Sequence, residues 1–289
     1  MTRHHPGPAL DDVGADRARE TLFVSDLHLS PEAPQLTALF LSWLHGRARG
    51  AGQLYILGDL FDAWIGDDDD TYQGVEAALA ALGASGTRCF LLRGNRDFLL
   101  GRRFARRTGT TLLRDPTRIT LADEPVLLMH GDLLCTDDVP YQRFRRRVRN
   151  PVIQWLFLRQ PLRKRRRIAA EYRRKSQRAM AEKAADIMDV NATTVRRVMQ
   201  RFGVRRLIHG HTHRPADHRL LLGREPAHRH VLADWSPGGG EALVAAAGVL
   251  TREPVRVPDP GASPGTAPGT APGTAPGTAP GTSSATADA

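Results

Sequence analysis

The chain has 289 residues, enough for one large α/β domain or two smaller ones. No apolar stretch approaches the ~20 residues needed to span a bilayer. Met1 to Glu20 lacks a signal peptide's apolar core, and two cysteines, Cys89 and Cys135, are too few for a disulfide framework. Those features argue against a helical membrane protein and a disulfide-stapled secreted domain; we expect a cytoplasmic chain, and a formal net charge of +10 calls for an anionic partner.

In chain order, residues 1–20 read as a flexible arm in which His4 and His5 are solvated polar residues. Thr21 to Val24 is a short apolar run that predicts a buried strand, and Asp26-Leu27-His28 follows it. Leu36, Leu39, Phe40, Trp43 and Leu44 then fall on one face of a helix. A second run, Leu54 to Leu57, leads into Gly58-Asp59, and Val75, Leu79 and Leu82 mark a weaker amphipathic helix after it. The run from Cys89 to Leu92 precedes Gly94-Asn95-Arg96-Asp97, and Val126 to Met129 precedes His130-Gly131-Asp132. Strands alternating with helices argue for a layered α/β domain.

From Val139 to Val190 that rhythm breaks into a mostly helical insertion, interrupted around Pro151 and Pro161. Between Arg143 and Arg178 it carries fifteen Lys and Arg against one acid, Glu171, interleaved with Trp155, Leu156, Phe157 and Leu158. Basic residues flanking large apolar ones suit a helix in a membrane interface, although aromatic residues among cations also serve nucleic-acid binding. Asn191 is a candidate N-cap for a helix whose apolar stripe is Val195, Val198, Met199 and Phe202. Leu207 and Ile208 then lead into Gly210-His211-Thr212-His213. From about Pro258 the Pro-Gly-Thr-Ala repeat has no large apolar residue and reads as a disordered tail.

Five short segments thus place metal-ligating residue types just past apolar runs. Loops leaving the carboxyl ends of strands in an open α/β sheet converge on one crevice, so residues far apart in sequence can meet there. Asp, His and Asn ligands without Cys suit divalent ions such as Mn²⁺, Fe²⁺ or Zn²⁺. Asp26 and His28 lie two apart, as do His211 and His213, so each pair can turn to one side of an extended loop. Asp59 has two oxygens with which to bridge two ions, and two ions ~3.5–4 Å apart can clamp a phosphoryl group and activate water. A lone Asp-x-His is more often a turn or a cap, but five such elements in series are hard to obtain by chance. Cys135 follows a metal motif but is a lone Cys, His45, His218, His228 and His230 lack partners at ligand spacing, and His209 reads as structural at least as readily as functional. Asp67 to Asp70 reads as a solvated acidic helix start rather than a further metal site.

Together the motifs Asp-x-His, Gly-Asp, Gly-Asn-x-Asp, His-Gly-Asp and Gly-His-Thr-His resemble the calcineurin-like metallophosphoesterase superfamily over roughly residues 20 to 250. The resemblance implies an α/β fold (α+β, four-layer), a β-sandwich flanked by helices with residues 139–190 as a helical cap, inside a domain spanning 21–257. Gly58 to Asp69, Gly94 to Gly101, Cys135 to Asp138, Ile187 to Asn191 and Ile208 to Pro215 are similar to UDP-2,3-diacylglucosamine diphosphatases, a family of lipid A biosynthesis. It implies two Mn²⁺ per chain, one on Asp26, His28, Asp59 and His213, the other on Asp59, Asn95, His130 and His211. It further implies substrate contacts from Asn95, Arg96, Asp138, Ser176, Lys183 and His211, with Asp59, Asn95, Arg96 and His130 at the chemistry. Met180 stands where some members carry Asn, a departure that bears on the sugar or diphosphate contacts. Asp97 and Asp132 are expected to orient the ligands from behind.

Many superfamily members carry His where this chain has Arg96, and Arg cannot donate a proton near neutral pH. A guanidinium can still hold a phosphate by forked hydrogen bonds, and expelling a phosphate ester needs no acid because its second pKa is ~6. Arg96 thus agrees with the reaction that the resemblance implies, hydrolysis of UDP-2,3-diacylglucosamine by metal-activated water at the α-phosphorus. The expected partner surface is the anionic cytoplasmic face of the inner membrane, with no nucleic acid and no obligate protein partner. The alternative is a dinuclear phosphoesterase or nuclease acting on another phosphorylated substrate.

Overall fold

The computed structural model describes residues 20–182 and 189–257, the side chains of 177–182 excepted. The predicted arm before Glu20, the predicted tail from Pro258, Lys183, the side chain of Met180 and the Ile187-Met188 pair lie outside the described residues.

The strands are β1 (Thr21–Val24), β2 (Gln53–Ile56), β3 (Arg88–Leu91), β4 (Thr111–Leu112), β5 (Thr117–Leu121), β6 (Glu124–Met129), β7 (Arg206–His209), β8 (Ala216–Leu222), β9 (Glu225–Val231), β10 (Gly239–Ala246) and β11 (Val249–Arg256). The helices are α1 (Pro34–His45), α2 (Gln73–Ala84), α3 (Arg102–Thr108), α4 (Val139–Val148), α5 (Pro151–Leu158), α6 (Leu162–Glu182) and α7 (Ala192–Phe202). One sheet of six strands runs β11-β10-β1-β2-β3-β4, and a second of five runs β5-β6-β7-β9-β8.

The apolar runs are continuous because both faces of each central strand are covered, the situation that erases alternation from a sequence. Phe23, Tyr55 and Leu57 of the first sheet meet Val126, Leu128 and Ile208 of the second between the sheets. Leu22, Val24, Leu54 and Ile56 face outward onto Leu36, Phe40 and Trp43 of α1 and Val75 and Leu79 of α2. Leu127, Met129 and Leu207 likewise pack on Val195 and Met199 of α7. The result is helix, sheet, sheet, helix, the four-layer arrangement expected from the motifs.

Register sets where the loops emerge. Val24 is opposite Ile56, Ile56 opposite Leu91, and Met129 opposite His209, all in parallel pairs. The carboxyl ends of five strands from two sheets are therefore flush, and the five motif loops leave from the same edge. β4, β5, β8 to β11 and α3 were not foreshadowed. The outer hairpin strands bury few residues on either face, so they carry no long apolar run to announce them.

The insertion folds as α4, α5 and α6, with Asp138 and Asn150 capping the first two through Tyr141 N–H (3.1 Å) and Val152 N–H (2.9 Å). Its attachment to the main domain is largely ionic. Arg165, only 2% exposed, forks onto Asp68, donating Nη1 to Oδ1 (2.8 Å) and Nη2 to Oδ2, and gives Nη1 also to the Ile65 carbonyl (2.7 Å). Arg166 donates to Asp69 at 2.7 Å, and Arg149 to the Gly94 carbonyl at 2.8 Å. The Asp67 to Asp70 run is thus not a solvated helix start. Asp67 accepts the N–H groups of Gly101, Arg103 and Phe104 (2.9, 3.0 and 3.0 Å) and so caps α3, while Asp68 and Asp69 hold α6.

Exposed ion pairs contribute little, but a buried forked guanidinium is a different case. Arg165→Ala removes it without stranding a buried charge, because Asp68 is about half exposed (49%). Hydrogen-exchange protection across α4 to α6 is expected to fall about 10- to 100-fold, the equivalent of ~1.5–3 kcal/mol for charge-assisted hydrogen bonds, while β1 and β2 stay protected. Unchanged exchange in α4 to α6 would show that Arg165 does not hold the cap.

Candidate metal centre

Each motif loop turns sharply as it leaves its strand. Asp26, His28, Asp59, His211 and His213 have φ of 54°, 49°, 53°, 72° and 52°, left-handed values that non-glycine residues seldom adopt. The other described non-glycine residues with positive φ, Ala122, Asp123 and Ala247, sit in the tight turns of the β5–β6 and β10–β11 hairpins. Strain of this kind costs ~1–3 kcal/mol per residue and persists where the surroundings impose it. Here it aims side chains from two sheets into one crevice. Gly94 and Gly210 permit the approach: a Cβ on Gly94 would collide with the Asp59 carboxylate, and one on Gly210 with Ser25 and Asp26.

The buried Asp26 carboxylate has one committed oxygen. Oδ2 accepts from Ser25 Oγ (2.6 Å) and His211 N–H (2.7 Å), while Oδ1 has no hydrogen-bond partner. Oδ1 faces His213 Nε2 at 3.6 Å and His28 Nε2 at 3.9 Å, and those two imidazole nitrogens are 3.2 Å apart. Asp59 is divided the same way. Its Oδ1 accepts Arg96 N–H (2.8 Å), and its Oδ2 lies between His28 Nδ1 (3.9 Å) and His130 Nε2 (3.8 Å). Asp26, His28 and His213 form one cluster of converging ligand atoms, and Asp26, Asp59 and His130 a second.

His130 shows what fits between them. Its Nδ1 is 2.9 Å from the Leu57 carbonyl, which can only accept, so Nδ1 carries the proton. In the neutral ring the Nε2 lone pair then faces Asn95 Oδ1 at 2.9 Å and Asp59 Oδ2 at 3.8 Å, acceptors converging on an acceptor. Without an ion a proton takes that place: burial disfavours the imidazolium, but Asp59, Asp26, Asp132 and Asp115 push His130 up to about 9. Ligand atoms spaced 3–4 Å apart match bonds of ~2.1 Å to a shared cation. Oxygen and imidazole donors suit a divalent ion of borderline-to-hard character, so the residues present fit the metal pair expected from sequence.

Burial pushes Asp59 and Asp97 up to about 6, each reinforced by a neighbouring carboxylate, and pushes His28 and His211 down to about 4. Asp26 is held below the usual carboxylate range, because His213, His130 and His28 outweigh its burial. Burial also raises both thiols to about 12, so Cys89 and Cys135 stay protonated and neither offers a thiolate.

Five of the seven predicted ligands, Asp26, His28, Asp59, His130 and His213, make up the two clusters, with Asp26 in both where the expected second set has Asn95 and His211; those two adjoin. Asn95 joins through His130, and the His211 ring packs edge-on to His130 with centroids 5.0 Å apart. Arg96 stands beside them, with Nη1 on Asp62 Oδ1 at 2.9 Å. Asp97 orients the site as expected, accepting Leu60 N–H (2.9 Å) and Gly94 N–H (2.7 Å) and so joining two ligand loops. Asp132 differs from expectation: its Oδ2 accepts Tyr141 Oη–H (2.8 Å) and Arg145 Nε–H (2.6 Å), fastening α4 rather than a ligand. Asp138 is the buried N-cap of α4, Ser176 is exposed on α6 one turn beyond Arg173, and Lys183 is outside the described residues. His209, which the sequence left open between a structural and a functional role, is buried between the Gly210 carbonyl (2.8 Å) and Arg229 (3.2 Å).

Sequence reading missed Ser25, Asp62, Tyr141 and Asp234. Ser25 adjoins a ligand and was detectable as a possible donor. Asp234 Oδ2 lies 3.6 Å from His213 Nδ1 across some twenty residues of chain, with no motif to mark it.

A family model described as calcineurin-like phosphoesterase matches residues 20–215. Among curated relatives, the UDP-2,3-diacylglucosamine hydrolase of Pseudomonas fluorescens is 53% identical over 220 residues, 75% of this chain and 88% of that protein. That of Azotobacter vinelandii is 51% identical over 238 residues, covering 81% of this chain and 99% of its own. That of an Enterobacter species is 52% identical over 231 residues, 79% and 96% respectively.

A carboxylate behind a metal-binding imidazole fixes its orientation and raises its basicity. Asp234→Ala is expected to weaken Mn²⁺ binding to the metal-free protein about 10-fold or more, as read by titration calorimetry. An unchanged affinity would remove Asp234 from the site.

Proposed function

The chain belongs to the calcineurin-like phosphoesterase family, and from that premise we propose that it hydrolyses UDP-2,3-diacylglucosamine to UMP and 2,3-diacylglucosamine 1-phosphate, a step of lipid A biosynthesis. The observation that carries this reading is Arg96. It follows Asn95 in the ligand loop, its backbone N–H is on Asp59, and its guanidinium takes the place where a proton-donating side chain serves alkyl ester cleavage. Proteins bearing that substrate name in three bacteria share at least half of the aligned sequence with this chain.

The family works with a pair of divalent ions, here proposed to be Mn²⁺, which when bound hold a phosphoryl group and lower the pKa of water from 15.7 towards ~7. Asp26, His28, Asp59 and His213 would hold one ion, and Asp59, Asn95, His130 and His211 the other, with Asp59 common to both. Water forms the new bond to the α-phosphorus, the bond from that phosphorus to the bridging oxygen breaks, and the electron pair leaves on the sugar 1-phosphate. One water proton passes to solvent. The leaving phosphate needs no proton at neutral pH, its second pKa being ~6, and Arg96 stabilises its growing charge by prepositioned hydrogen bonds. Asn95, Arg96, Asp138, Ser176, Lys183 and His211 are proposed to contact the substrate, with the acyl chains between the cap and the main domain.

The cap is also proposed to meet the anionic membrane surface. Val152, Trp155 and Leu156 are 64%, 52% and 51% exposed, and no helix among the described residues is long and apolar enough to cross a membrane. The Arg159 guanidinium lies over the Trp155 ring, 4.2 Å from its centroid, and Arg163, Lys164 and Arg167 are exposed on α6. Apolar side chains with cations at their flank suit a helix lying in the interface.

Hydrolysis by the purified protein, with Mn²⁺ and then with chelator, tests the reaction. UMP release is expected from UDP-2,3-diacylglucosamine and to be far slower from its deacylated counterpart or a simple phosphodiester. Preference for the diester would keep the metal centre and discard the substrate. For the surface, replacing Arg163, Lys164 and Arg167 together by Gln is expected to weaken binding to phosphatidylglycerol vesicles by ~1 kcal/mol per charge, more at low salt. Equal partition at all salt concentrations would remove the membrane role.

A further inference from the structure

Two arginines from different parts of the fold share one carboxylate beside the metal centre. Arg96, from the loop after β3, donates Nη1 to Asp62 Oδ1 at 2.9 Å. Arg173, from the cap helix α6, donates Nη1 to Asp62 Oδ2. Its Nη2 also lies 3.9 Å from Glu32, which is exposed. All three members of the group are sheltered, with side chains 19% exposed for Asp62, 20% for Arg96 and 31% for Arg173. Asp62 follows Asp59 by three residues, and its own backbone N–H is tied to the Leu29 carbonyl at 3.0 Å, so the carboxylate is carried on the same framework as two ligand loops.

We propose that Asp62 is a positioning residue that assembles Arg96 and Arg173 into a two-guanidinium site for the leaving phosphate of a diphosphate, an inference that rests on the proposed diphosphatase reaction. Two guanidiniums at this separation repel each other unless an anion lies between them. Asp62 supplies that anion, its Oδ1 accepting one N–H of Arg96 and its Oδ2 one N–H of Arg173. A guanidinium has five N–H donors, so donors remain on both for a second anion. Arg96, Arg173 and Asp62 together carry a net charge of +1, and the further acid beside them, Glu32, is exposed to solvent 3.9 Å from Arg173. When the bridging bond breaks, the departing phosphate gains one negative charge, and it gains it one bridging oxygen away from the phosphorus under attack. Cations already in place there need no rearrangement as the charge develops.

The arrangement also makes the cap part of the site. Arg173 reaches Asp62 only while α6 is docked, and α6 is docked by Arg165 on Asp68 and Arg166 on Asp69. Asp62 therefore joins the position of the cap to the position of Arg96, whose backbone is in turn fixed to Asp59. A carboxylate that merely neutralised nearby arginines would affect every substrate equally. One that positions them for a second phosphate affects only substrates that have one.

The test compares native protein with Asp62→Asn and Asp62→Glu, loaded with Mn²⁺, on UDP-2,3-diacylglucosamine and on bis(4-nitrophenyl) phosphate, a diester with a single phosphorus. The ratio of kcat/KM for the diphosphate to that for the diester is expected to fall about 10- to 100-fold in Asp62→Asn, chiefly through kcat, with partial recovery in Asp62→Glu. The ratio cancels losses from folding or metal content. Arg173→Ala should show the same fall alone and add little in the Asp62→Asn background, because the two residues act as a unit. Should Asp62→Asn not fold, Arg173→Ala and Asp62→Glu carry the comparison. Equal losses on both substrates, or fully additive losses in the double variant, overturn the inference while leaving the diphosphatase intact. Native protein that cleaves only the diester overturns the proposed reaction, and this inference with it.

Discussion

Asp26, Asp59 and His130 bring ligand atoms within 4.8 Å of one another in the interior, and Asp26 Oδ1 has no donor to satisfy it. A buried carboxylate without a partner costs several kcal/mol, and two of them side by side cost more. The surrounding residues supply partners to the far atoms of Asp26, Asp59 and His130. Ser25 and the His211 N–H occupy the far oxygen of Asp26, Arg96 N–H the far oxygen of Asp59, and the Leu57 carbonyl the far nitrogen of His130. Asp26 Oδ1 and His28 Nδ1, which face the converging ligand atoms, are left without a hydrogen-bond partner. The left-handed backbone at five ligands and the glycines at 94 and 210 are further costs of the same convergence, borne because five flush strand ends leave the loops no other direction.

The cap answers a different constraint. It buries little apolar surface against the main domain, with Phe157 the part of α5 that reaches its core. Its position is set by arginines on acids and carbonyls: Arg145 on Asp132, Arg149 on Gly94, Arg165 on Asp68, Arg166 on Asp69 and Arg173 on Asp62. The basic segment is therefore two populations of charge. One faces inward and is consumed in docking, and the other, including Arg163, Lys164 and Arg167, remains on the surface. Net charge along a sequence does not separate them, since both populations occur on one helix at adjacent positions.

That distinction marks the limit of what the sequence made legible. The central strands were readable because burial on both faces leaves an uninterrupted apolar run, and the candidate ligands were readable because each sits within a few residues of such a run. Relations across the chain were not. Asp62 meets Arg173 over a separation of 111 residues, and Asp68 meets Arg165 over 97. The Asp67 to Asp70 run looked like a helix start because acids gather there for dipole reasons. In the folded protein α2 follows it without a side-chain cap, and Asp67 instead caps α3, more than thirty residues on. The outer strands β8 and β11, half solvated and rich in charge, gave no periodic signal that could be told from loop.

Arg96 joins the two constraints. Its backbone belongs to the metal loop through Asp59, and its side chain belongs to the cap through Asp62 and Arg173. An acid in that position would have to titrate near the working pH, and in a crevice this crowded with carboxylates and imidazoles its proton would be contested by every neighbour. A guanidinium has no such competition, since it stays charged across the accessible range. The substitution restricts the chemistry to leaving groups stable as anions and in return makes the stabilising charge independent of the protonation state of the ligands around it. A phosphate ester is such a leaving group, and its anionic charge is what we propose the two arginines on Asp62 receive.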